Sequence, residues 1–197
     1  MSDPEKIIAV DVDEVKFPFV AQFASWHNTV YGTSVQEADF TSYMFEEPLG
    51  VDTATVVERV YQFHEVDDLH VPPIDGAEEG LSALSGAYHL HSLTARHPRF
   101  REHTRRWIGA RSLPIDEVHT IGHPVTMKEQ YKSKAETCQS IGAIALIDDS
   151  PHHVAECLAI GIDAVLFGDY PWNQDAPKNM KRCADWSAVV RHFRVEG

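Results

Sequence analysis

Short, fully apolar runs recur along the 197-residue chain and alternate with longer stretches that have helical spacing. A run that is apolar on both faces is typical of a strand buried inside a parallel sheet, and its alternation with helices is typical of an α/β fold. We therefore predict a three-layer, Rossmann-like parallel sheet. The predicted strands cover residues 7–10, 88–94, 118–121, 143–147 and 164–167. The predicted helices between them cover residues 77–85, 99–110, 133–141 and 152–160.

One segment, residues 17–75, interrupts this alternation directly after the first strand. It contains two amphipathic helical patterns, the first of which places Phe19 and Phe23 on one face. We predict that this segment is a small helical cap, inserted into an α/β core made of residues 1–16 and 76–197. The aromatic residues of the segment either form the core of the cap or stack on a substrate.

The charge of the chain limits its partners. It carries 30 Asp and Glu against 17 Lys and Arg, a formal net charge of −13. Binding to a nucleic acid polymer or to an anionic membrane requires a basic face, so we expect neither partner. No apolar stretch approaches the roughly 20 residues that span a bilayer, and the first residues lack a signal-peptide pattern. The three cysteines have no C-x-x-C spacing and are expected to be reduced thiols, so we predict a cytoplasmic protein.

Two acidic pairs stand at the ends of predicted strands. Asp11 and Asp13 follow the first strand, and Asp148 and Asp149 follow the fourth, where a Ser-Pro pair marks the start of a helix. Because the carboxyl ends of parallel strands meet at one edge of a sheet, we expect the four acids to lie close together. Two like charges about 4 Å apart repel by roughly 4 kcal/mol at an effective dielectric constant of about 20. Such a cluster indicates a bound cation, raised pKa values, or both, and oxygen ligands favour Mg²⁺.

Four short motifs stand at these strand and helix ends. They are Asp11-Val12-Asp13-Glu14-Val15, Ser92-Leu93-Thr94-Ala95-Arg96, Lys134 at the start of a helix, and Leu146-Ile147-Asp148-Asp149-Ser150-Pro151. Together, and in this order, they resemble the motifs of the haloacid dehalogenase-like (HAD) phosphohydrolases. Glu14 departs from the glycine that is most common at its position. Within this family, the motif spelling and the chain length are most similar to the 5′(3′)-deoxyribonucleotidase group.

The resemblance implies a role for each motif residue. Asp11 would attack phosphorus, and Asp13 would protonate the leaving oxygen and then activate water. The phosphoryl group would be bound by the hydroxyl of Thr94, by the ammonium of Lys134 and by backbone N–H groups after Asp11 and Thr94. The predicted catalytic residues are therefore Asp11, Asp13, Thr94 and Lys134. The predicted substrate-binding residues are Thr94, Ala95, Arg96 and Lys134.

The resemblance also implies a Mg²⁺ site. The ion would be held by the Asp11 carboxylate, the Asp13 backbone carbonyl and an acid of the fourth motif. The resemblance favours Asp149 as the direct ligand and Asp148 as its support, whereas the sequence itself does not separate the two. The guanidinium of Arg96 either contacts the phosphate or pairs with acids of the cap.

The expected activity is the Mg²⁺-dependent hydrolysis of a small phosphomonoester through an aspartyl phosphate, with (deoxy)nucleoside monophosphates as candidate substrates. Because the dehalogenases of the family lack the second acid of the first motif, Asp13 indicates phosphoryl transfer. Two alternatives stay open: a catalytically silent binding or regulatory protein that keeps the fold, and a phosphatase for a non-nucleotide substrate. The candidate substrate contacts are Trp26, Tyr43, Phe45 and Trp172. For each of them a packing role is also open.

Overall fold

The computed structural model describes residues 6–66 and 68–193, apart from the side chains of Val125 and Glu129. Its strands are β1 (Ile7–Val10), β2 (His89–Thr94), β3 (Glu117–Thr120), β4 (Ala143–Asp148), β5 (Asp163–Phe167) and β6 (Arg182–Cys183). They form one sheet in the order β3-β2-β1-β4-β5-β6, and every neighbouring pair is parallel. The five predicted strands are confirmed. The sequence did not predict β6, because two residues are too few to give a pattern.

The helices of the same residues are α1 (Phe19–Tyr31), α2 (Glu46–Leu49), α3 (Thr53–His64), α4 (Ala77–Ser85), α5 (Arg101–Ala110), α6 (Pro124–Met127), α7 (Lys134–Ile141), α8 (Pro151–Ala159) and α9 (Trp186–Phe193). The helices predicted between strands are α4, α5, α7 and α8, each within two residues of the predicted bounds; α9 was not predicted. The longest of these helices in the described residues is α1, and its 13 residues are too few to cross a bilayer. The expectation about a signal peptide concerns the first residues of the chain, and residues 1–5 lie outside the described residues.

Alternating side chains of the sheet face two separate hydrophobic clusters, and these define the three layers. On one face, Ile8, Val10 and Leu90 pack with α4, α5 and α9. On the other face, Ala9 and Leu146 pack with α7 and α8. Successive residues of a strand point to opposite faces, so a short apolar strand supplies both clusters. The three-layer parallel architecture is therefore confirmed. The buried free thiols are those of Cys138, Cys157 and Cys183.

Helices α1, α2 and α3 follow β1 and lie in the segment predicted as a cap. Phe23 on α1 contacts Phe63 on α3 and Phe45 next to α2, each with a ring-centroid distance of 5.7 Å. Trp26 also contacts Phe63 at 5.7 Å. Val30, which continues the apolar spacing of α1, is instead 53% exposed. These rings form a core for the segment, which is the packing alternative for Trp26 and Phe45, while the predicted domain boundaries stay a prediction.

The register of the sheet brings the predicted acids to one edge. Val10, the last residue of β1, pairs with Ser92 on β2 and with Ile147 on β4. Helix α8 begins at Pro151 with Ser150 at its N-cap position, so only a short turn separates β4 from this helix. The side chains that follow or end these strands at the common edge are those of Asp11, Asp13, Thr94, Asp148 and Asp149.

We expect Leu81→Ala to lower the free energy of unfolding by about 2–5 kcal/mol, because it leaves a cavity in a packed core. Leu81 on α4 is fully buried in the larger cluster. The same substitution at Leu158 on α8, which is 43% exposed, is expected to change the free energy by less than about 1 kcal/mol. Urea denaturation followed by circular dichroism measures both variants. Equal losses would contradict the described core.

Candidate active site

Lys134 is the first residue of α7, and the cap of that helix sets its position. The Ser133 hydroxyl accepts a hydrogen bond from the Glu136 N–H, and the Glu136 carboxylate accepts one from the Ser133 N–H. This reciprocal pair satisfies two of the amide groups that the start of a helix otherwise leaves unpaired. It therefore fixes the point at which the buried Lys134 side chain enters the site.

The Lys134 ammonium lies between two buried carboxylates. Its Nζ is 2.8 Å from Asp11 Oδ2 and 2.6 Å from Asp148 Oδ2. Burial raises the pKa of Asp11 to about 6, although the charge of Lys134 acts in the opposite direction. Burial would lower the pKa of Lys134, but the attraction of Asp11 and Asp148 outweighs it, so the pKa lies above its usual value. The lysine therefore keeps its positive charge beside Asp11 at neutral pH.

Asp149 adds a third carboxylate to this group. One oxygen from each of Asp11, Asp148 and Asp149 lies within 4.8 Å of the others. Burial raises the pKa of Asp149 well above its usual value, and repulsion from Asp148 and Asp11 adds to the effect. An oxygen-only set of this kind suits Mg²⁺, and a divalent cation would relieve the repulsion within it. The residues present therefore fit the predicted ion.

The two acids of the fourth motif have different partners. Asp148 accepts hydrogen bonds on both oxygens, from the lysine ammonium on Oδ2 and from the Ser150 N–H on Oδ1 at 2.9 Å. Asp149 Oδ2 accepts from Trp172 Nε1 at 2.7 Å and from the Tyr43 hydroxyl at 3.1 Å. The partners of Asp148 thus come from α7 and the start of α8, whereas those of Asp149 come from the predicted cap and from the loop after β5.

Two aromatic candidates for substrate contact therefore lie beside Asp149. Tyr43 is 49% exposed, and its hydroxyl also contacts the Asp149 backbone carbonyl at 2.8 Å. The Trp172 ring stacks on Tyr170 with a centroid distance of 4.7 Å and an interplanar angle of 8°. Trp172 is thus packed and also contacts the acid cluster. Unlike Trp26 and Phe45, Tyr43 reaches from the predicted cap to the acids.

Asp13 forms an ion pair with Arg96. Arg96 Nη2 is 2.6 Å from Asp13 Oδ1, and Arg96 Nε lies 3.2 and 3.1 Å from the two Asp13 oxygens. Arg96 Nη1 also donates to Thr104 Oγ1 at 3.2 Å, and the arginine is buried. Burial would raise the pKa of Asp13, but Arg96 outweighs it and the pKa is lowered. Arg96 therefore pairs with an acid of the first motif, which neither of the two expectations for its guanidinium included.

The second motif adjoins these acids. Thr94 is fully buried, and its hydroxyl accepts a hydrogen bond from the Arg96 N–H at 3.2 Å. Ala95 is exposed. The Val12 N–H, one of the expected phosphate donors, donates to Asp11 Oδ1 at 2.7 Å. The predicted residues that the structure brings into one set of contacts are Asp11, Lys134, Asp148 and Asp149.

Lys16 is a buried charged residue near these acids that the four motifs do not contain. Its side chain is fully buried, and Nζ donates to the Val10 carbonyl at 2.9 Å and to Ser92 Oγ at 2.7 Å. Burial lowers its pKa to about 7, although the attraction of Asp11 opposes this shift. A signal was available: Lys16 is the only Asp, Glu, Lys or Arg between Glu14 and the next acid, Glu37. A lone cation in an apolar stretch beside an acidic motif indicates that the cation is buried near that motif.

The backbone conformation and the contacts of Glu14 show how a residue other than glycine is accommodated at its position. Its φ of 58° lies in the left-handed region, which glycine adopts at the lowest cost. The Glu14 carboxyl group accepts a hydrogen bond from the Val20 N–H in the first turn of α1, and its backbone carbonyl accepts one from the Tyr170 hydroxyl at 2.7 Å. Burial raises the pKa of Glu14 to about 8. The side chain thus makes a hydrogen bond to α1 that a glycine at this position would lack.

The chain matches a family model described as 5′ nucleotidase, deoxy (pyrimidine), cytosolic type C protein, over residues 5–195. The nucleotidase candidate BH1399 of Halalkalibacterium halodurans is 22% identical over 188 residues, which cover 93% of this chain and 90% of that protein.

Two solved structures have a similar fold. A haloacid dehalogenase-like hydrolase from Streptococcus pneumoniae is 12% identical with a TM-score of 0.69, over 96% of this chain and 99% of that one. A predicted phosphatase from Clostridium acetobutylicum is 14% identical with a TM-score of 0.65, over 96% and 98% of the two chains. At these identities the structural matches show the fold alone.

We expect Arg96→Met to lower the free energy of unfolding at pH 7 by about 3 kcal/mol, because it leaves the Asp13 carboxylate without its buried partner. Arg99→Met serves as the matched control. Arg99 pairs with Glu65 at 3.0 Å, and their side chains are 45% and 64% exposed, so this substitution is expected to cost about 1 kcal/mol or less. Urea denaturation measures both.

The effect of Arg96→Met is also expected to depend on pH. The folded-state pKa of Asp13 is depressed, so the ion pair stabilises the protein fully above the unfolded-state pKa of about 3.9. This contribution is lost as the pH falls through the lower folded-state pKa. The difference between the variant and the wild type should therefore shrink below about pH 4. A difference that stays constant would contradict the ion pair.

Proposed function

We propose that the chain uses Mg²⁺ and forms an aspartyl phosphate on Asp11. The chain belongs to the 5′ nucleotidase, deoxy (pyrimidine), cytosolic type C family and is a hydrolase of phosphoric monoesters. The observation that carries this proposal is the buried contact between Asp11 and Lys134, beside Asp148 and Asp149. It combines a positioned carboxylate, a fixed positive charge and a set of oxygen donors for a cation. These three components favour phosphoryl transfer to a carboxylate.

The reaction has two balanced steps. First, an Asp11 carboxylate oxygen attacks phosphorus, and the bond to the leaving oxygen breaks as Asp13 gives that oxygen a proton. Then a water oxygen attacks the phosphorus of the aspartyl phosphate, a proton of the water passes to Asp13, and the bond between phosphorus and the Asp11 oxygen breaks. Inorganic phosphate leaves, Asp11 is again a carboxylate, and Asp13 again carries the proton with which the first step began.

Arg96 positions Asp13 for these two proton transfers. The bidentate contact with Arg96 favours the carboxylate form of Asp13, which is the form that accepts the proton of the attacking water. An incoming phosphate brings negative charge close to Asp13, and nearby like charge raises the pKa of a carboxyl group. Substrate binding thus favours the protonated form that the first step requires. Because the contact with Arg96 sets the balance between the two forms of Asp13, we assign Arg96 to Asp13 and not to direct contact with the substrate.

The fourth motif and its neighbours would hold Mg²⁺. We assign the ion to the Asp11 carboxylate, the Asp13 backbone carbonyl and Asp149, with Asp148 as support. Asp149 suits the direct role because both oxygens of Asp148 already accept hydrogen bonds, one of them from Lys134. When bound, the ion supplies positive charge against the phosphoryl oxygens.

The second motif would bind the transferred group from the other side. The Thr94 hydroxyl and the Ala95 N–H stand at the end of β2, next to the end of β1. We assign both to the phosphoryl oxygens, together with the Lys134 ammonium. Their donors are fixed before the reaction begins, so no reorganisation is needed as negative charge develops.

The substrates that we propose are deoxynucleoside monophosphates, and the compartment is the cytosol. Both assignments rest on the description of the matching family. Tyr43 and Trp172 are the aromatic side chains beside the acids, and we propose them as contacts for the leaving nucleoside. A non-nucleotide phosphatase would share the same chemistry, and a silent protein would retain the fold without turnover.

We expect Asp11→Asn to reduce phosphate release by at least about three orders of magnitude, because an amide is a poor nucleophile. Asp169→Asn is the matched control, since Asp169 is an acid whose side chain is 71% exposed and which contacts Arg182 at 3.8 Å. Inorganic phosphate is measured with a panel that contains deoxynucleoside, ribonucleoside and sugar monophosphates. Release from sugar phosphates alone would exclude the nucleotide assignment, and no release from any ester would favour the silent protein.

We expect activity to be lost on removal of divalent cations with EDTA and restored by Mg²⁺, because the acids would otherwise repel the phosphate. In Asp149→Asn, the Mg²⁺ concentration for half-maximal activity should increase by about ten-fold or more, whereas Asp169→Asn should leave it unchanged. Turnover that persists in EDTA would rule out the metal assignment. An unchanged Mg²⁺ requirement in Asp149→Asn would move the direct ligand to another acid.

A further inference from the structure

A cluster of two imidazoles and a carboxylate lies on the sheet, separate from the acids described above. His91 is on β2, and Glu117 and His119 are on the edge strand β3. In the register of these strands, His91 pairs with Glu117, and Leu93 pairs with His119. Residues two apart point to the same face of a strand, so all three side chains lie on one face. Backbone hydrogen bonds of the sheet therefore hold the cluster together.

The distances within the cluster match those of a metal site. His91 Nδ1 is 3.1 Å from His119 Nε2, and His119 Nε2 is 3.6 Å from Glu117 Oε2. One ligand atom from each of the three residues lies within 4.8 Å of the others. Zinc–nitrogen bonds of about 2.0–2.1 Å in a tetrahedral site place two nitrogens about 3.3 Å apart. The two imidazole nitrogens are thus already near the spacing that one ion requires.

The cluster is accessible from solvent. Leu93, on the same face, packs with the cluster of α7 and α8, whereas Leu90 and Val118 face the opposite layer. His91 is only partly buried, the His119 side chain is 20% exposed, and the Glu117 side chain is 63% exposed. An ion could therefore reach the two rings, and water could complete its coordination.

The protonation state of His119 also suits a metal. Burial lowers the pKa of His119, and the neighbouring His91 and Arg101 add to this effect while Glu117 opposes it. At neutral pH the His119 ring is therefore uncharged. One of the two facing nitrogens carries the hydrogen of their contact, so metal binding requires that this hydrogen move to the other nitrogen of its ring.

We propose that His91, Glu117 and His119 form a binding site for Zn²⁺ or a similar borderline transition-metal ion, distinct from the Mg²⁺ site at the strand ends. Imidazole ligands select such ions, whereas Mg²⁺ prefers oxygen. The bound ion would connect the edge strand β3 to β2, the strand that ends at Thr94. Binding to the folded state alone would stabilise the protein in proportion to the logarithm of the zinc concentration.

The test is calorimetric titration of Zn²⁺ into tag-free, full-length protein in excess Mg²⁺, which keeps the acids at the strand ends occupied. We expect one zinc equivalent whose affinity falls by about ten-fold or more in His91→Ala and in His119→Ala. His89→Ala is the matched control, because His89 lies on the same face of β2 and contacts Asp116 at 3.0 Å. This variant should bind zinc like the wild type.

A second group with the same ligand types, on one helix, is formed by His152, His153 and Glu156. His152→Ala separates the two groups, because the proposed equivalent should survive in this variant. No zinc binding in excess Mg²⁺, zinc binding unchanged in His91→Ala and His119→Ala, or loss of the equivalent in His152→Ala alone would each overturn the proposal.

Two further measurements, the first of which needs the wild type alone, protect the test against unfolding of a variant. Electron paramagnetic resonance of the Cu²⁺-loaded protein should show hyperfine coupling to two imidazole nitrogens. Zn²⁺ should also raise the melting temperature of the wild type and of His89→Ala, but not that of His119→Ala. A Cu²⁺ spectrum without nitrogen coupling would contradict the proposed ligands. None of these readouts depends on phosphatase activity, so failure of the zinc site and failure of the proposed function are distinguishable.

Discussion

A lysine ammonium buried between two carboxylates is the interaction on which the rest of the active site depends. Removing an ion from water costs several kcal/mol even after relaxation, and this cost is offset only when opposite charges are buried together. Lys134 contacts Asp11 and Asp148 simultaneously, so one cation compensates for two acids. Asp11 follows β1, Asp148 ends β4 and Lys134 begins α7. The contact therefore exists only because the sheet order places β1 next to β4.

The local charge of the site differs from that of the whole chain. The chain carries a formal net charge of −13, which opposes the approach of a phosphate. Within the site, however, the cations nearly balance the acids. Counted by formal charge, the acids are Asp11, Asp13, Asp148 and Asp149, and the cations are Lys16, Arg96 and Lys134. A divalent cation would make the local sum positive, so an acidic protein can bind an anionic substrate at this one edge.

The sequence predicted the parts of this site that follow from strand ends and motif order. Asp11, Asp148 and Asp149 come together because parallel strands share a carboxyl edge, and that edge is predictable from the apolar runs. The partner of Arg96 was not predictable, because it depends on which side chain of a neighbouring strand lies within reach. The contact of Tyr43 with Asp149 joins residues 106 positions apart, which no periodicity encodes. The two-residue β6 was missed because it is too short to give a pattern.

Asp149 shows why the predicted cap and the acids are physically linked. Burial and the neighbouring acids raise its pKa, whereas a cation or hydrogen-bond donors favour its ionised form. In this structure the donors are the Trp172 indole and the Tyr43 hydroxyl, both on Oδ2. An oxygen that already accepts two hydrogen bonds is a poorer metal ligand, so a cation on this oxygen would compete with Tyr43. A cation bound by Asp149 would therefore either displace the Tyr43 hydroxyl from Oδ2 or occupy Oδ1 and leave this contact with the predicted cap in place.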